Sequence, residues 1–232
     1  MPTAKTKALK KQSCVLAGDI GGTKTRLGLF VAGKHRPVVR EVAKFSSRRS
    51  RSLEAIIDEM LARYPAKVKK ACFGIAGPVI NGLCRTTNLP WVVSEKKLQK
   101  RFGWQRVRLI NDLGSTAMAI PLLAHREVKA LNSAKVHKNQ NIGLVAPGTG
   151  LGLALLVFLD GRYRPVASEG GHAGFAPADE SEIDLWQYLQ ARFGHVSAEH
   201  VLSGRGLVNI YEWLKSGGDI PESPQIHQAI RA

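Results

Sequence analysis

Residues 18–23 read Gly-Asp-Ile-Gly-Gly-Thr, so glycine backbone, a carboxylate and a hydroxyl crowd together. Glycines let a main chain approach an anion closely and aim its N–H groups at it. Thr23 adds a hydroxyl donor. Asp19 alone would repel a phosphate, so its place beside such a cradle makes sense if Mg2+ lies between them. A plain hairpin turn would use the same glycines for their geometry alone. A second turn, Gly148-Thr149-Gly150-Leu151-Gly152, repeats the theme later in the chain. Neither is a Walker A loop, because no Gly-Lys-Ser/Thr follows. Neither is a dinucleotide fingerprint, because each leads into a strand-like apolar run rather than a helix.

Other polar groups sit at equally suggestive places. Asn111-Asp112 closes an apolar run. A carboxylate there, opening a helix, reads as an N-cap, and position alone favours that. It also suits a general base that accepts a hydroxyl proton, with Asn111 orienting the substrate. Ser168-Glu169-Gly170-Gly171-His172 is a compact polar turn. Glu169 can accept hydrogen bonds from vicinal hydroxyls, and His172 can donate or accept one more. A metal reading of that pair lacks further ligands. Glu199, shortly before Leu202-Ser203-Gly204, either joins the same pocket or is a solvated helix residue.

These groups need a scaffold. The apolar runs around Gly21-Gly22, over residues 14–31, predict a hairpin. Ser52 can cap a helix to about Tyr64, with Leu53, Ile56, Ile57, Met60 and Leu61 on one face. Residues 71–76 read as a buried strand, and Gly77-Pro78 and Asn81-Gly82 punctuate a turn region. Ser94 to Phe102 suits a short basic helix. Val107 to Ile110 suits a strand, with a helix following from about Gly114. Residues 142–159 repeat the hairpin pattern. Ser181 and Asp184 form an S-x-x-D capping pattern for a helix carrying Leu185, Trp186, Leu189 and Phe193. A last helix is expected over Leu207 to Leu214, and the tail from Ser216 carries little packing signal. The mixture of strands and helices throughout predicts an α/β or α+β protein. The two Gly-rich hairpins suggest two similar halves facing a shared ligand.

Composition narrows the class. The 232 residues are 44% hydrophobic, enough for one large or two modest domains. No apolar run approaches the roughly 18 residues a membrane helix needs; the longest, Leu151 to Leu159, is interrupted by Gly152. Lys5, Lys7, Lys10 and Lys11 precede no apolar stretch, so residues 1–13 read as a disordered basic tail, not a secretory signal. Cys14, Cys72 and Cys84 cannot pair evenly and form no CxxC, which favours a reducing cytoplasm. The net charge of +16 favours polyanions, with Arg48, Arg49 and Arg51 as the densest cluster. No nucleic-acid-binding signature accompanies it, so no specific nucleic-acid partner is expected.

The motifs gain force in order. GDIGGT resembles the first phosphate motif of the bacterial-type glucokinase family, and INDL its catalytic segment. APGTGLG resembles its second phosphate motif. SEGGH and SAEHVLSGRGL resemble its sugar-binding segments, and TNLPW, Thr87 to Trp91, a hexokinase-like sugar loop. The resemblance runs from about Val15 to Leu214. It implies a two-lobed actin-like ATPase (ribonuclease H-like) fold, with residues 14–110 as the small N-terminal lobe and 111–232 as an incomplete large lobe.

It also implies ATP-dependent phosphorylation of glucose at the 6-hydroxyl, the entry to glycolysis. Asp112 would be the base. Asn111, Asp112, Glu169, His172 and Glu199 would hold the sugar. Gly18, Asp19, Ile20, Gly21, Gly22, Thr23, Gly148, Thr149 and Gly150 would hold the nucleotide phosphates, with Asp19 facing Mg2+ through water. The family is often dimeric. Family members continue beyond the region matching Leu214, so a truncated, inactive fragment is the alternative, as is a sugar-binding regulator. Lys24 stands where some relatives have Asn.

Overall fold

Alternation in Cys14–Ile20 (β1) puts Cys14, Leu16 and Ile20 on one face, all essentially inaccessible, and Val15 and Asp19 on the other. The computed structural model describes residues 13–86, 88–135, 137–217, 225 and 228. The basic tail, Thr87 of the TNLPW segment and nearly all of the tail after Gly217 lie outside the described residues. The chain divides into two compact units, residues 1–137 and 138–232.

In the first unit β1 pairs antiparallel with Lys24–Val31 (β2), which pairs antiparallel with Val38–Ser46 (β3). On its other side β1 pairs in parallel with Val68–Ile75 (β4), which pairs in parallel with Arg106–Asn111 (β8). The order is therefore β3-β2-β1-β4-β8. Gly18 is what lets β1 sit in this sheet. A Cβ there would lie 2.5 Å from Leu27 Cδ2 and 2.8 Å from Phe73 Cδ1.

Parallel neighbours need crossovers, and helices supply them. Leu53–Arg63 (α1) joins β3 to β4 and buries Leu53, Ile56, Ile57 and Met60 in the core that includes Leu16, Ile20, Leu27, Leu29 and Phe73. Each such burial stabilises by about 1.5–3 kcal/mol. Ser52 caps α1 by accepting from the Ala55 N–H at 3.3 Å. Between β4 and β8 lies a small sheet of Val79–Ile80 (β5), Leu83–Arg85 (β6) and Val92–Ser94 (β7), then Glu95–Phe102 (α2). Ser94 caps α2, and Gly103, left-handed at φ 66°, ends it. Beyond β8, Asp112–Ala119 (α3) packs back on the sheet: a Cβ at Gly74 would collide with the Ser115 hydroxyl. This packing is why the first unit extends past residue 110 and includes α3.

In the second unit Ile142–Pro147 (β9), Leu151–Leu159 (β10) and Arg162–Ser168 (β11) form an antiparallel sheet in the order β11-β10-β9. Glu180–Phe193 (α4) and Gly204–Ser216 (α5) follow. Leu185, Leu189 and Val196 form their core, with Trp186, Ile210 and Trp213 packed against it. The cap of α4 is Asp179, whose carboxylate accepts from the Glu182 N–H at 2.8 Å. The helix thus starts before the S-x-x-D pattern, because Asp179 is still extended at φ −145° and Ser181 is already helical. β3 has no clean alternation that marks it in the sequence, whereas β11 follows β10 across Asp160-Gly161, a two-residue turn with both residues left-handed at φ 52° and 72°, and that Asp-Gly pair is a hairpin signal. No helix is long and apolar enough to cross a membrane among the described residues.

Candidate functional site

The first Gly-rich turn is held from beneath. The Gly21 N–H donates to the Lys24 carbonyl at 3.1 Å. Ser47, at the end of β3, donates its hydroxyl to the Gly21 carbonyl at 2.7 Å and its N–H to the Thr23 carbonyl at 3.0 Å. Its Oγ also lies 2.9 Å from Thr25 Oγ1, and both side chains are fully buried. Buried hydroxyls of this kind must be paired, so the brace is rigid. Sequence reasoning missed Ser47 and Thr25, because a serine after an unmarked strand carries no signal. Asn88 is a further member: a Cβ at Gly22 would lie 2.7 Å from Asn88 Cβ. The sugar-loop-like segment therefore packs on the phosphate-like turn, and only glycine leaves room for it.

Of the expected phosphate residues, Gly21, Gly22 and Thr23 form the turn. The Asp19 side chain is exposed beside it, with no hydrogen bond or ion pair among the described residues. Gly18 and the Ile20 side chain lie inside the sheet, where packing explains both.

Register places the catalytic candidates. Ile20, Ile75 and Asn111 are lateral neighbours across β1, β4 and β8. The Gly turn and Asn111-Asp112 thus leave the sheet at the same edge, about 10 Å apart at two strand spacings. In open α/β sheets this edge, at the carboxyl ends of parallel strands, is where ligands bind. The cap of α3 is Asn111, not Asp112. Asn111 keeps its strand pairing, and its Oδ1 accepts from Leu113 and Gly114 at 3.1 and 3.3 Å. Its Nδ2 donates to the Gly77 carbonyl at 3.4 Å. Asp112 is the first helical residue, with Oδ1 accepting from the Leu113 N–H at 2.9 Å. Oδ2 has no hydrogen-bond partner among the described residues, and the side chain is half-buried. Cys84, fully buried nearby, has its thiol pushed up first by burial and then by the Asp112 charge.

The second unit gathers its own cluster around the turn from β9 to β10. The Gly148 N–H donates to the Gly150 carbonyl at 2.8 Å, and the Gly204 N–H to the Gly148 carbonyl at 2.7 Å. Glu199 braces the turn from the side: its Oε2 accepts the Leu151 N–H at 2.8 Å. A Cβ at Gly150 would occupy the place of that carboxylate. Glu199 is itself positioned through its carbonyl, which accepts the Ser203 hydroxyl at 2.7 Å, while Ser203 caps α5 through the Gly206 N–H. A Cβ at Gly171 would fall on the Leu151 carbonyl, so the Gly170-Gly171 turn lies directly against the same strand. Glu169 and His172 flank these glycines, with Nε2 and Oε2 3.9 Å apart and both side chains largely exposed. The structure thus brings Gly148–Gly150, Glu199 and the Glu169–His172 turn together around Leu151. Gly204 is a member that the sequence did not single out.

A sheet of three antiparallel strands continued by two parallel ones, with a Gly turn after the first strand and a carboxylate after the last, is the ribonuclease H-like core of the actin-like ATPases. The glucokinase from an Antarctic psychrotroph superposes with a TM-score of 0.84 at 30% identity, covering 92% of this chain and 67% of that one. The family model described as Glucokinase matches residues 16–232. Glucokinase of Citrobacter koseri is 38% identical over 213 residues, which is 90% of this chain and 65% of that protein. Glucokinase of Escherichia coli is 37% identical over 211 residues, 90% of this chain and 64% of that protein. The chain belongs to the glucokinase family, and it spans about 65% of the length of the curated relatives it matches.

Proposed function

We propose that these residues serve ATP-dependent phosphorylation of a glucose-like hexose at its 6-hydroxyl. The observation that carries the reading is the division of labour at the end of β8. Asn111 is committed to the cap, and Asp112 has one oxygen bonded to the Leu113 N–H and the other without a partner among the described residues. An oriented carboxylate is what a hydroxyl nucleophile needs: Oδ2 accepts the 6-hydroxyl proton as that oxygen bonds to the γ-phosphorus. The bond from the γ-phosphorus to the bridging oxygen breaks, and ADP leaves with the electron pair. The Gly21 and Gly148 N–H groups are spent on bracing their turns, the other N–H groups of Gly21–Thr23 and Gly148–Gly150 serve phosphate oxygens, and the bracing means that little is reorganised on binding. Glu169, His172 and Glu199 are the hydroxyl-holding groups. The Asp19 carboxylate, exposed beside the first turn and without a partner among the described residues, fits a hydrated cation held through water. Mg2+ there would neutralise phosphate charge.

The test is glucose-dependent ADP formation by the 232-residue chain with MgATP, beside Asp112→Ala and Asp112→Asn. The expected result is turnover in the parent and a loss of at least about a hundredfold in both variants. Unchanged turnover in either variant, or glucose binding by the parent without any ADP formation, would overturn the reading.

A further inference from the structure

The cluster Arg48, Arg49 and Arg51 plays no part in the chemistry above, yet its position is specific. It begins one residue after Ser47, the brace of the first Gly turn, and so within one Cα step, about 3.8 Å, of that brace. It runs into the N-terminus of α1. There Arg51, Glu54 and Asp58 line one side of a cleft of about 710 Å³ whose other wall is α2, with Lys97, Lys100 and Arg101, so four cations face two carboxylates. Arg101 is tied to Asp58 at 2.5 Å. Arg48, Arg49, Arg51, Lys97 and Lys100 have no acidic partner among the described residues, and all five are exposed. Lys24, also exposed and without an acidic partner among the described residues, is the lateral neighbour of Ser46 on the turn's other side.

Unpaired cations concentrated this way repel one another and hold a positive potential until an anion neutralises them. The charge forms a track from the phosphate-like turn to the α1–α2 cleft, which suits a chain of anions better than a single one. The cleft lining has no aromatic side chain on which a base could stack, and Ala55 is its one apolar member. Neither nucleobases nor a lipid tail would find a partner there. We infer that this track is a binding site for inorganic polyphosphate, held by charge-assisted contacts along the chain of phosphates. The inference needs no phosphoryl transfer and stands apart from the proposed kinase activity.

Binding of labelled long-chain polyphosphate, followed by fluorescence anisotropy at near-physiological salt without glucose or ATP, tests it. One variant carries Arg48→Gln, Arg49→Gln and Arg51→Gln; a second carries Lys97→Gln and Lys100→Gln on the opposite wall. A control carries Lys67→Gln, Lys69→Gln and Lys70→Gln, exposed positions at the far end of β4. Each track variant is expected to weaken binding at least about tenfold and the control less than about twofold, with tripolyphosphate far weaker than the long chain. Equal losses in control and track variants would reduce the effect to net charge. Single-stranded DNA of matched charge binding as tightly would assign the track to a nucleic-acid backbone. Tripolyphosphate binding as tightly as the long chain would reduce it to a single-anion site. Each of these outcomes overturns the inference.

Discussion

Glu199 is expected to act on the fold of the second Gly turn as well as on any ligand there. Its Oε2 is the acceptor for the Leu151 N–H, and Leu151 is only 8% exposed. In Glu199→Ala that N–H loses its partner in a place water reaches poorly, which costs about 1–3 kcal/mol. If opening of the turn exposes the amide, its exchange with solvent rises by about 5- to 150-fold. Glu199→Gln keeps a carbonyl oxygen in reach and loses only the charge assistance, so its cost is about 1 kcal/mol. Hydrogen exchange of the segment around residues 147–153 reads the effect locally, without requiring the whole chain to unfold in one step. Leu151 exchange unaffected by Glu199→Ala would refute the brace, as would Ala and Gln variants that exchange alike. The Gln variant also separates two roles. If the other carboxylate oxygen holds a sugar hydroxyl, the KM for glucose rises in Glu199→Gln while exchange stays near the parent's.

Removing the cap in Asn111→Ala should destabilise the first unit by about 0.5–2 kcal/mol in urea titrations, with Asn111→Asp retaining most of it. Gly171→Ala drives a Cβ onto the Leu151 carbonyl, so backbone must shift, and the thermal midpoint should fall by the equivalent of about 1–3 kcal/mol. The Cys84 thiol, raised by burial and by Asp112, should react with iodoacetamide more slowly than a free thiol, and Asp112→Asn should lower its apparent pKa. Its sign also sets a pH effect. In the folded chain the proton is held beyond the ordinary thiol value of 9.0, so stability is unaffected below that pH. It falls as pH rises above it, where the unfolded thiol ionises first. Unfolding midpoints across that range, with Cys84→Ser as reference, check the slope.

Both hairpins, α1 with its Ser52 cap, α2, β4 and β8 were legible because each is a local pattern: apolar alternation, a helical stripe, or glycines between two runs. The candidate residues at Asp19–Thr23, Asn111-Asp112, Gly148–Gly150 and Glu169–His172 were legible for a related reason. They sit at turns and strand ends, where an unusual residue type stands out against a regular background. Chemistry at one position, however, was ambiguous by itself. Asn111 and Asp112 are adjacent, and either can cap a helix. Only the pairing of Asn111 with Ile75, which keeps Asn111 in the strand, decides that Asn111 caps and Asp112 faces outward. The cap of α4 was misplaced for the same reason, since Asp179 and Ser181 are both good capping residues.

What the sequence determined alone is the two hairpins, the main helices, β4 and β8, and the residue types at their ends, because short-range propensity and periodicity reside in neighbouring residues. What the tertiary structure decided is which distant residues serve those ends. Ser47 and Thr25 under the first turn, Asn88 against Gly22, and Glu199 and Gly204 on the second turn meet only after the strands have paired. Hydrogen bonds and steric fits of this kind depend on register and packing across long separations, and no local pattern in the chain encodes them.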